Sequence, residues 1–435
     1  MICLKTFSII IPILNGVKLI GACLQSLEPQ LQPGDEIIVV DNGSTDGTPE
    51  LIERDFPRAR VMRMGRNLGY GGGANRGIEM ARGDAMVILN HDMTFLDGCF
   101  AALRKRLDEI GPCVLGCKLL YPDGQTIQHA GGAIAYPRAE PAHAGYRQID
   151  DGRWDAVTEP DYVTGALFVI DRTVINSIGL FDDAFFPLYY EEVDYCYRAR
   201  AAGFRVIYDP AAVAIHHETQ TYDPRSTAYY QAMLRGRVRF VLKNYSAGQL
   251  LNDFFPAEYE YLHALPDEYA RAVCAPAYAS VLSNLPRLTA RESREAIIKQ
   301  LSALHIAALR LPRIDEVAMT EPIQLPALHE HDFQSNVRVI GPLIRSVRRA
   351  LYNLTAKWGV LAVIQQQDHI NAVIAQHLNE YEQRLRQYET EYYARLLEFD
   401  ARLIEQDRDL TSLTRSLAEL EIATKTQRHQ DAISK

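Results

Sequence analysis

Residues 36–49 read EIIVVDNGSTDGTP. Ile37, Ile38, Val39 and Val40 form an apolar run with no polar alternation, which suits a strand covered on both faces. Asp41 ends the run. Gly43 and Gly47 give the next loop its tight turns, Thr48 reads as an N-cap, and Pro49 as the first residue of a helix. Working outward, residues 7–13 are a second continuous apolar run, followed by a helical pattern over 16–27. Further strands are expected at 59–64 and 85–89, with a helix at 74–82 between them. This alternation predicts an α/β fold, a mostly parallel sheet with helices on both faces.

Ligands of open α/β sheets bind past the carboxyl ends of the strands. Four such ends carry polar groups here. Residues 12–15 include Pro12 and Asn15. Residues 41–48 pack Asp41, Ser44 and Asp46 into one loop, where carboxylates can accept from a nucleobase N–H or ribose hydroxyls; an Asx-turn accounts for Asp46 and Thr48 but not for Asp41. Residues 66–75 hold Asn67, Gly69 and Asn75 in a glycine-rich turn that opens a helix, a setting that favours anions. Its G-x-G-x-x-A pattern (Gly69, Gly71, Ala74) follows the third strand, not the first, which counts against a dinucleotide fold. Asn90, His91 and Asp92 end the fourth strand. A carboxylate there is a candidate ligand for a hard divalent cation, which prefers oxygen donors and bridges to phosphates.

Beyond residue 160 the pattern is mixed. A strand is expected at 167–170, a helix at 192–202, short strands near Val206 and Val213, and a closing helix at 229–243. The first domain is placed at 1–245, and a helical, proline-broken extension at 246–336, with Thr289 and Glu292 as a capping box. Residues 337–360 interleave Arg345, Arg348, Arg349 and Lys357 with Val347, Leu351, Leu354 and Trp358. This basic amphipathic helix suits an anionic membrane surface, or equally the protein's own core. Residues 361–425 show a heptad pattern that predicts a coiled coil, hence a homo-oligomer, with an intramolecular hairpin as the competitor.

The chain has 435 residues, 47% hydrophobic and 23% charged, with a net charge of -9. A globular protein of more than one unit is expected, and no nucleic-acid partner. The 7 cysteines are sparse and fall in apolar surroundings, as buried free thiols do. Cys113 and Cys117 lack a second pair of soft ligands and make no zinc site. No signal peptide and no apolar run long enough to span a membrane are visible, so a cytoplasmic protein, soluble or peripheral on the inner membrane, is expected.

The segments SIIIPILNG (8–16), IIVVDNGSTDGT (37–48), RNLGYGGGANRGI (66–78), LNHDM (89–93), GALFVIDR (165–172), GLFDDAFFPLYYEEVDYCYRARAAG (179–203) and AIHHETQT (214–221) occur in this order. The set resembles family 2 glycosyltransferases, especially the rhamnosyltransferase-like branch of bacterial surface-polysaccharide assembly. The resemblance covers residues 6–245. It implies a GT-A fold and an inverting enzyme that uses a UDP- or dTDP-sugar, a divalent cation (Mg²⁺ or Mn²⁺) and a glycan or lipid-linked acceptor. Carried over by residue, Asp41 would contact the base, and Asp46 and Asn75 would support the nucleotide pocket. Asp92 matches the metal-binding acid, with Asn90 where the family often has a first acid. His216 matches the histidine that completes the metal or diphosphate site, with His217 as the fallback. Glu191 and Glu192 match the acidic pair, and Glu192 is assigned as general base. Gly165, Ala166, Phe185, Phe186, Tyr189 and Glu191 would shape the acceptor site, although the aromatics also read as core. The Gln-x-x-Arg-Trp signature of processive synthases is absent. Two other classes stay open: an oxidoreductase that uses the glycine-rich loop for NAD, and a scaffold whose coiled coil does the work.

Overall fold

The computed structural model describes residues 5–218, 226–286 and 294–310. The helix expected at 337–360, the coiled coil at 361–425 and the Thr289/Glu292 capping box lie outside the described residues.

The first half builds the sheet. β1 (Phe7–Ile13), β2 (Glu36–Asp41), β3 (Ala59–Arg63) and β4 (Ala85–Leu89) alternate with α1 (Ile20–Leu27), α2 (Thr48–Asp55) and α3 (Gly69–Met80). β5 (Met93–Phe95), α4 (Cys99–Ile110), β6 (Cys113–Leu120), β7 (Ile127–His129), and a hairpin of β8 (Gly132–Ala135) and β9 (Glu140–His143) follow. Then come β10 (Leu167–Asp171), α5 (Arg172–Ile178), α6 (Glu191–Ala201), β11 (Arg205–His216) and α7 (Thr227–Asn244). The sheet runs β3-β2-β1-β4-β10-β6-β11-β5, with β7 added beside β6. β1 pairs parallel with both β2 and β4, and β2 with β3. β10 is antiparallel to its neighbours, and β11 runs parallel to β6.

Alternate side chains of each strand enter different cores. Ile10, Ile38 and Val40 join α3, α6 and α7 on one face. Ile9, Ile11, Ile37 and Val39 join α1 and α4 on the other. Burial on both faces is why these strands read as unbroken apolar runs. Gly77 lets α3 lie directly on Ile10, where any side chain would collide. Cys23, Cys99, Cys113, Cys117, Cys196 and Cys274 are buried free thiols, as expected.

Element bounds differ from the reading where loops recruit helix residues. α1 starts only at Ile20 because Gly16 N–H is held by the Thr48 hydroxyl at 3.0 Å. That hydroxyl also donates to Asp46, so it does not cap α2. The two short strands expected near Val206 and Val213 are one strand, β11, whose register shifts between Asp209 and Val213.

The helices Phe255–Ala264, Ala275–Ser283 and Arg294–Ala308 continue the same compact unit, Met1–Leu311. As far as 308, the residues after 245 share one buried core with α7. The fastener is Glu258, fully buried. Its carboxylate accepts from Arg237 at 2.8 and 2.6 Å, Arg138 at 3.0 Å and Tyr278 at 2.7 Å. Burial alone would raise its pKa, but the Arg237 charge and these hydrogen bonds hold it lowered. No described helix is long and apolar enough to cross a membrane.

Candidate active site

The loops at the carboxyl edge of the parallel strands are joined in a ring. After β1, Asn15 N–H donates to Ser44 Oγ at 2.9 Å, and Asn15 Oδ1 accepts from Thr45 N–H at 2.9 Å. Val17 N–H donates to Asp46 Oδ2 at 3.1 Å. These bonds stitch the β1 loop to the β2 loop. At the end of β2, buried Asp41 accepts from Ser44 N–H at 3.1 Å, and Asn42 Nδ2 donates to Gly69 C=O at 3.1 Å. Gly69, at φ +73°, sits where a Cβ would lie 2.5 Å from Pro187 O, and Phe186 packs on it too. Tyr70 N–H donates to Pro187 O at 3.0 Å, and the Tyr70 hydroxyl to Gly165 C=O at 2.7 Å.

Gly165 and Ala166 then connect the two halves of the site. The Glu192 carboxylate accepts a backbone hydrogen bond from Gly165. Ala166 C=O accepts from Asn90 N–H at 3.0 Å. Asn90 Nδ2 donates to His216 Nε2 at 3.3 Å, and that nitrogen lies 3.2 Å from Asp92 Oδ1. His91 closes the ring against Gly16, where a Cβ would meet its ring at 2.6 Å. Asp92 and His216 meet because β11 pairs antiparallel with β5, placing His216 opposite Met93. His217 faces elsewhere: its Nε2 is 3.2 Å from Thr94 Oγ1. Of the two histidines, His216 is the one whose ring lies beside the Asp92 carboxylate, while His217 meets Asp92 through its backbone N–H, which donates to Asp92 C=O at 3.0 Å.

Asp92 and His216 offer one carboxylate oxygen, the donor type of hard cations, and one imidazole nitrogen, a common transition-metal donor, a set that could hold a divalent cation. Among the described residues no group of three His, Cys, Asp or Glu side chains is placed to hold a metal ion. A cation held here would take its other ligands from water and substrate phosphates, as Mg²⁺ commonly does.

Tyr189 and Tyr190, at φ +83° and +76°, turn the chain so that α6 begins with its acids. Glu191 is 2% exposed, and its Cγ packs against Gly71 at the start of α3. Burial, then the neighbouring Glu192 charge, push it up to about 8. Glu192 is only partly buried. Burial raises its pKa, opposed by backbone amides of its own helix start and of Gly165. Asp194 is a structural acid: it accepts from Arg198 and Lys243, both at 2.8 Å, and from Asn244 at 3.0 Å.

Residues 8–166 match the family described as Glycosyl transferase family 2. Over 221 residues the chain is 32% identical to the N-acetylglucosaminyl-diphospho-decaprenol L-rhamnosyltransferase of Mycobacterium tuberculosis, covering 44% of this chain and 69% of that protein. The chain belongs to glycosyl transferase family 2. This transferase is also 29% identical over 255 residues to the uncharacterized protein y4gI of Sinorhizobium fredii, 55% of this chain but only 27% of the length of that protein. Among solved structures, the mannosyltransferase PcManGT from Pyrobaculum calidifontis in complex with GDP-Man and Mn²⁺ is 17% identical, with a TM-score of 0.41 over 70% of this chain and 86% of that chain.

Several expected site residues of the transferase are engaged within the protein. Asn75 exchanges two hydrogen bonds with the Phe181 backbone, both 3.0 Å, and so fixes the turn before Phe186. Asn67 Oδ1 accepts from Gly69 N–H at 2.8 Å, shaping the glycine-rich turn. Hydrogen bonds from Thr48 and Val17 lower the Asp46 pKa against the opposing effect of burial. Pro12 packs at the α3 start, where a Cβ on Gly73 would lie 3.1 Å from its own. Phe186 is exposed, whereas Phe185 is core. The sequence reading missed Tyr70, Thr94 and Gln128. Tyr70 lay in a quoted motif, but Gln128 lies in a stretch with no pattern.

Proposed function

We propose that this transferase moves a sugar, with inversion, from a UDP- or dTDP-sugar to a glycan or lipid-linked acceptor in cell-surface polysaccharide assembly. The observation that carries the reading is the Gly165–Ala166 junction. One residue holds Glu192, and the next holds Asn90, the neighbour of the Asp92–His216 pair. A base and a diphosphate-side donor set thus share one edge of the sheet. The Mycobacterium tuberculosis relative, named for rhamnosyl transfer to a diphospho-decaprenol-linked sugar, supports a lipid-linked acceptor.

Asp41, whose carboxylate accepts from Ser44 N–H, would contact the nucleobase. Asp92 and His216 would hold Mg²⁺ or Mn²⁺, which when bound stabilises negative charge on the leaving diphosphate. Glu192 takes the proton from the acceptor hydroxyl as that oxygen attacks C1 from the face opposite the diphosphate. Burial and the Glu192 charge push Glu191 up to about 8, so Glu191 serves to shape the acceptor side and Glu192 serves as base. Phe186 and Tyr189 line the acceptor side. Residues 337–360 and 361–425 are assigned to an anionic membrane surface at the cytoplasmic face and to homo-oligomerisation. Vesicle sedimentation and light scattering of a chain lacking 337–435 test both.

The deciding experiment screens purified protein against a nucleotide-sugar panel by release of nucleoside diphosphate, then repeats the best donor with Glu192→Gln. Donor binding is expected to persist while turnover falls by roughly 10²-fold or more, the usual scale of general-base loss. Near-normal turnover would move the base to another residue.

A further inference from the structure

Gln128 belongs to no motif, yet it touches the site. It sits on β7, a three-residue strand beside β6. The β7–β6 register slips there: His129 lies opposite Leu119, Ile127 opposite Leu120, and Gln128 is the extra residue. Such bulges re-aim a side chain. Gln128 is 6% exposed, so its amide must find partners inside the protein. Its Oε1, an acceptor, lies 2.7 Å from His216 Nδ1 across the end of β6, a contact that is a hydrogen bond when Nδ1 carries the proton. Behind it, His129 Nδ1 lies 2.9 Å from His143 Nδ1, and both rings pack on Tyr162, which fixes the strand.

A proton on Nδ1 leaves the lone pair on Nε2. That nitrogen is the one that receives the Asn90 amide and lies 3.2 Å from Asp92 Oδ1. A cation that displaced the Asn90 amide would find that lone pair beside the carboxylate oxygen. We infer that Gln128 is the positioning residue that holds His216 in the Nδ1–H tautomer, turning Nε2 and Asp92 into a nitrogen–oxygen pair for a divalent cation. Imidazole ligands generally need the second ring nitrogen tied in this way. The inference deepens the cation assignment proposed above and rests on it for its use, but not for its test.

The test uses the full chain and two readouts. Long-range ¹⁵N–¹H spectra of histidine-labelled protein at about pH 8, where an ordinary histidine is neutral, report the His216 tautomer without any metal. The His216 signal is assigned by its loss in His216→Asn. Titration with Mn²⁺ alone, followed by electron paramagnetic resonance, reports affinity. Wild type is expected to show Nδ1–H. Gln128→Met, of similar length but without the amide acceptor, is expected to populate Nε2–H and to bind Mn²⁺ about 10–100-fold more weakly. Gln128→Glu, which keeps an acceptor at the same reach, should restore both. Should Gln128→Met fail to fold, Gln128→Asn, one methylene shorter, carries the same expectation. A wild-type tautomer and wild-type affinity in these variants would overturn the inference. A wild type that binds no Mn²⁺ would instead overturn the cation reading, and the tautomer result alone would then decide the role of Gln128.

Discussion

Replacing Glu191 by Gln should flatten the dependence of stability on pH. Glu191 is buried between the start of its own helix, α6, and the start of α3, and its carboxyl is pushed up from 4.5 to about 8. The unfolded chain gives up this proton near pH 4.5, whereas the folded chain keeps it until about pH 8. Between those values the native state binds more protons than the unfolded one, so stability falls as pH rises. Each pH unit in that window costs about 1.4 kcal/mol. The full loss is on the order of 5 kcal/mol, a large part of a typical domain's stability. Gln has nearly the same shape and does not titrate. The assay is urea unfolding of wild type and Glu191→Gln at intervals from about pH 5 to about pH 9, comparing the two at each pH so that other titrating groups cancel. The variant should be close to wild type near pH 5 and more stable by a few kcal/mol near pH 9. Parallel curves would show that Glu191 is ionised in the fold at ordinary pKa, and would refute the burial argument.

Three further expectations are cheaper to test. The acid limb of kcat/KM should lie above the 4.5 of an ordinary glutamate, because burial raises Glu192 and the base must be deprotonated; a profile still flat at about pH 5 would argue against it. EDTA should abolish transfer and added Mn²⁺ or Mg²⁺ restore it, whereas full activity in chelator would remove the cation from Asp92 and His216. Glu258→Leu should cost about 3–5 kcal/mol in urea melts, since Arg237 would keep a buried charge without its carboxylate; a loss below about 1 kcal/mol would mean the network is dispensable.

The strands of the first half were legible because each is buried on both faces. β1, β2 and β4 have the bounds that the unbroken apolar runs suggest. α3 was harder. Its glycines lower helix propensity, so the pattern suggested a start at 74, but the helix begins at Gly69. Those glycines answer to neighbours: Gly69 to Pro187, Gly73 to Asn42 and Pro12, Gly77 to Ile10. Tertiary closeness overrides local preference there. β7, β8 and β9 are three or four residues each, too short to show any period. The contribution of Gln128 arises from a register slip between two strands, which no local pattern encodes.

The acids of EEVD show how far residue type alone carries an assignment. In sequence, Glu191, Glu192 and Asp194 are three carboxylates at one helix start, all explicable by the helix dipole. The fold separates them by environment. Asp194 is held by two cations and an amide, so its charge is balanced by the protein's own groups. Glu191 is buried, and although the Arg235 charge and the Gly71 backbone favour its charged form, burial and the Glu192 charge outweigh them and push it up to about 8. Glu192 alone combines partial exposure with a tie to Gly165, one residue from the carbonyl that holds Asn90. Burial raises both carboxyls, and the Glu192 charge adds to the rise at Glu191. Exchanging the labels, with Glu191 as base, would require the more deeply buried carboxyl, 2% exposed, to lose its proton beside a charged neighbour. The desolvation and the like charge both oppose that, which is why the general base is placed at Glu192.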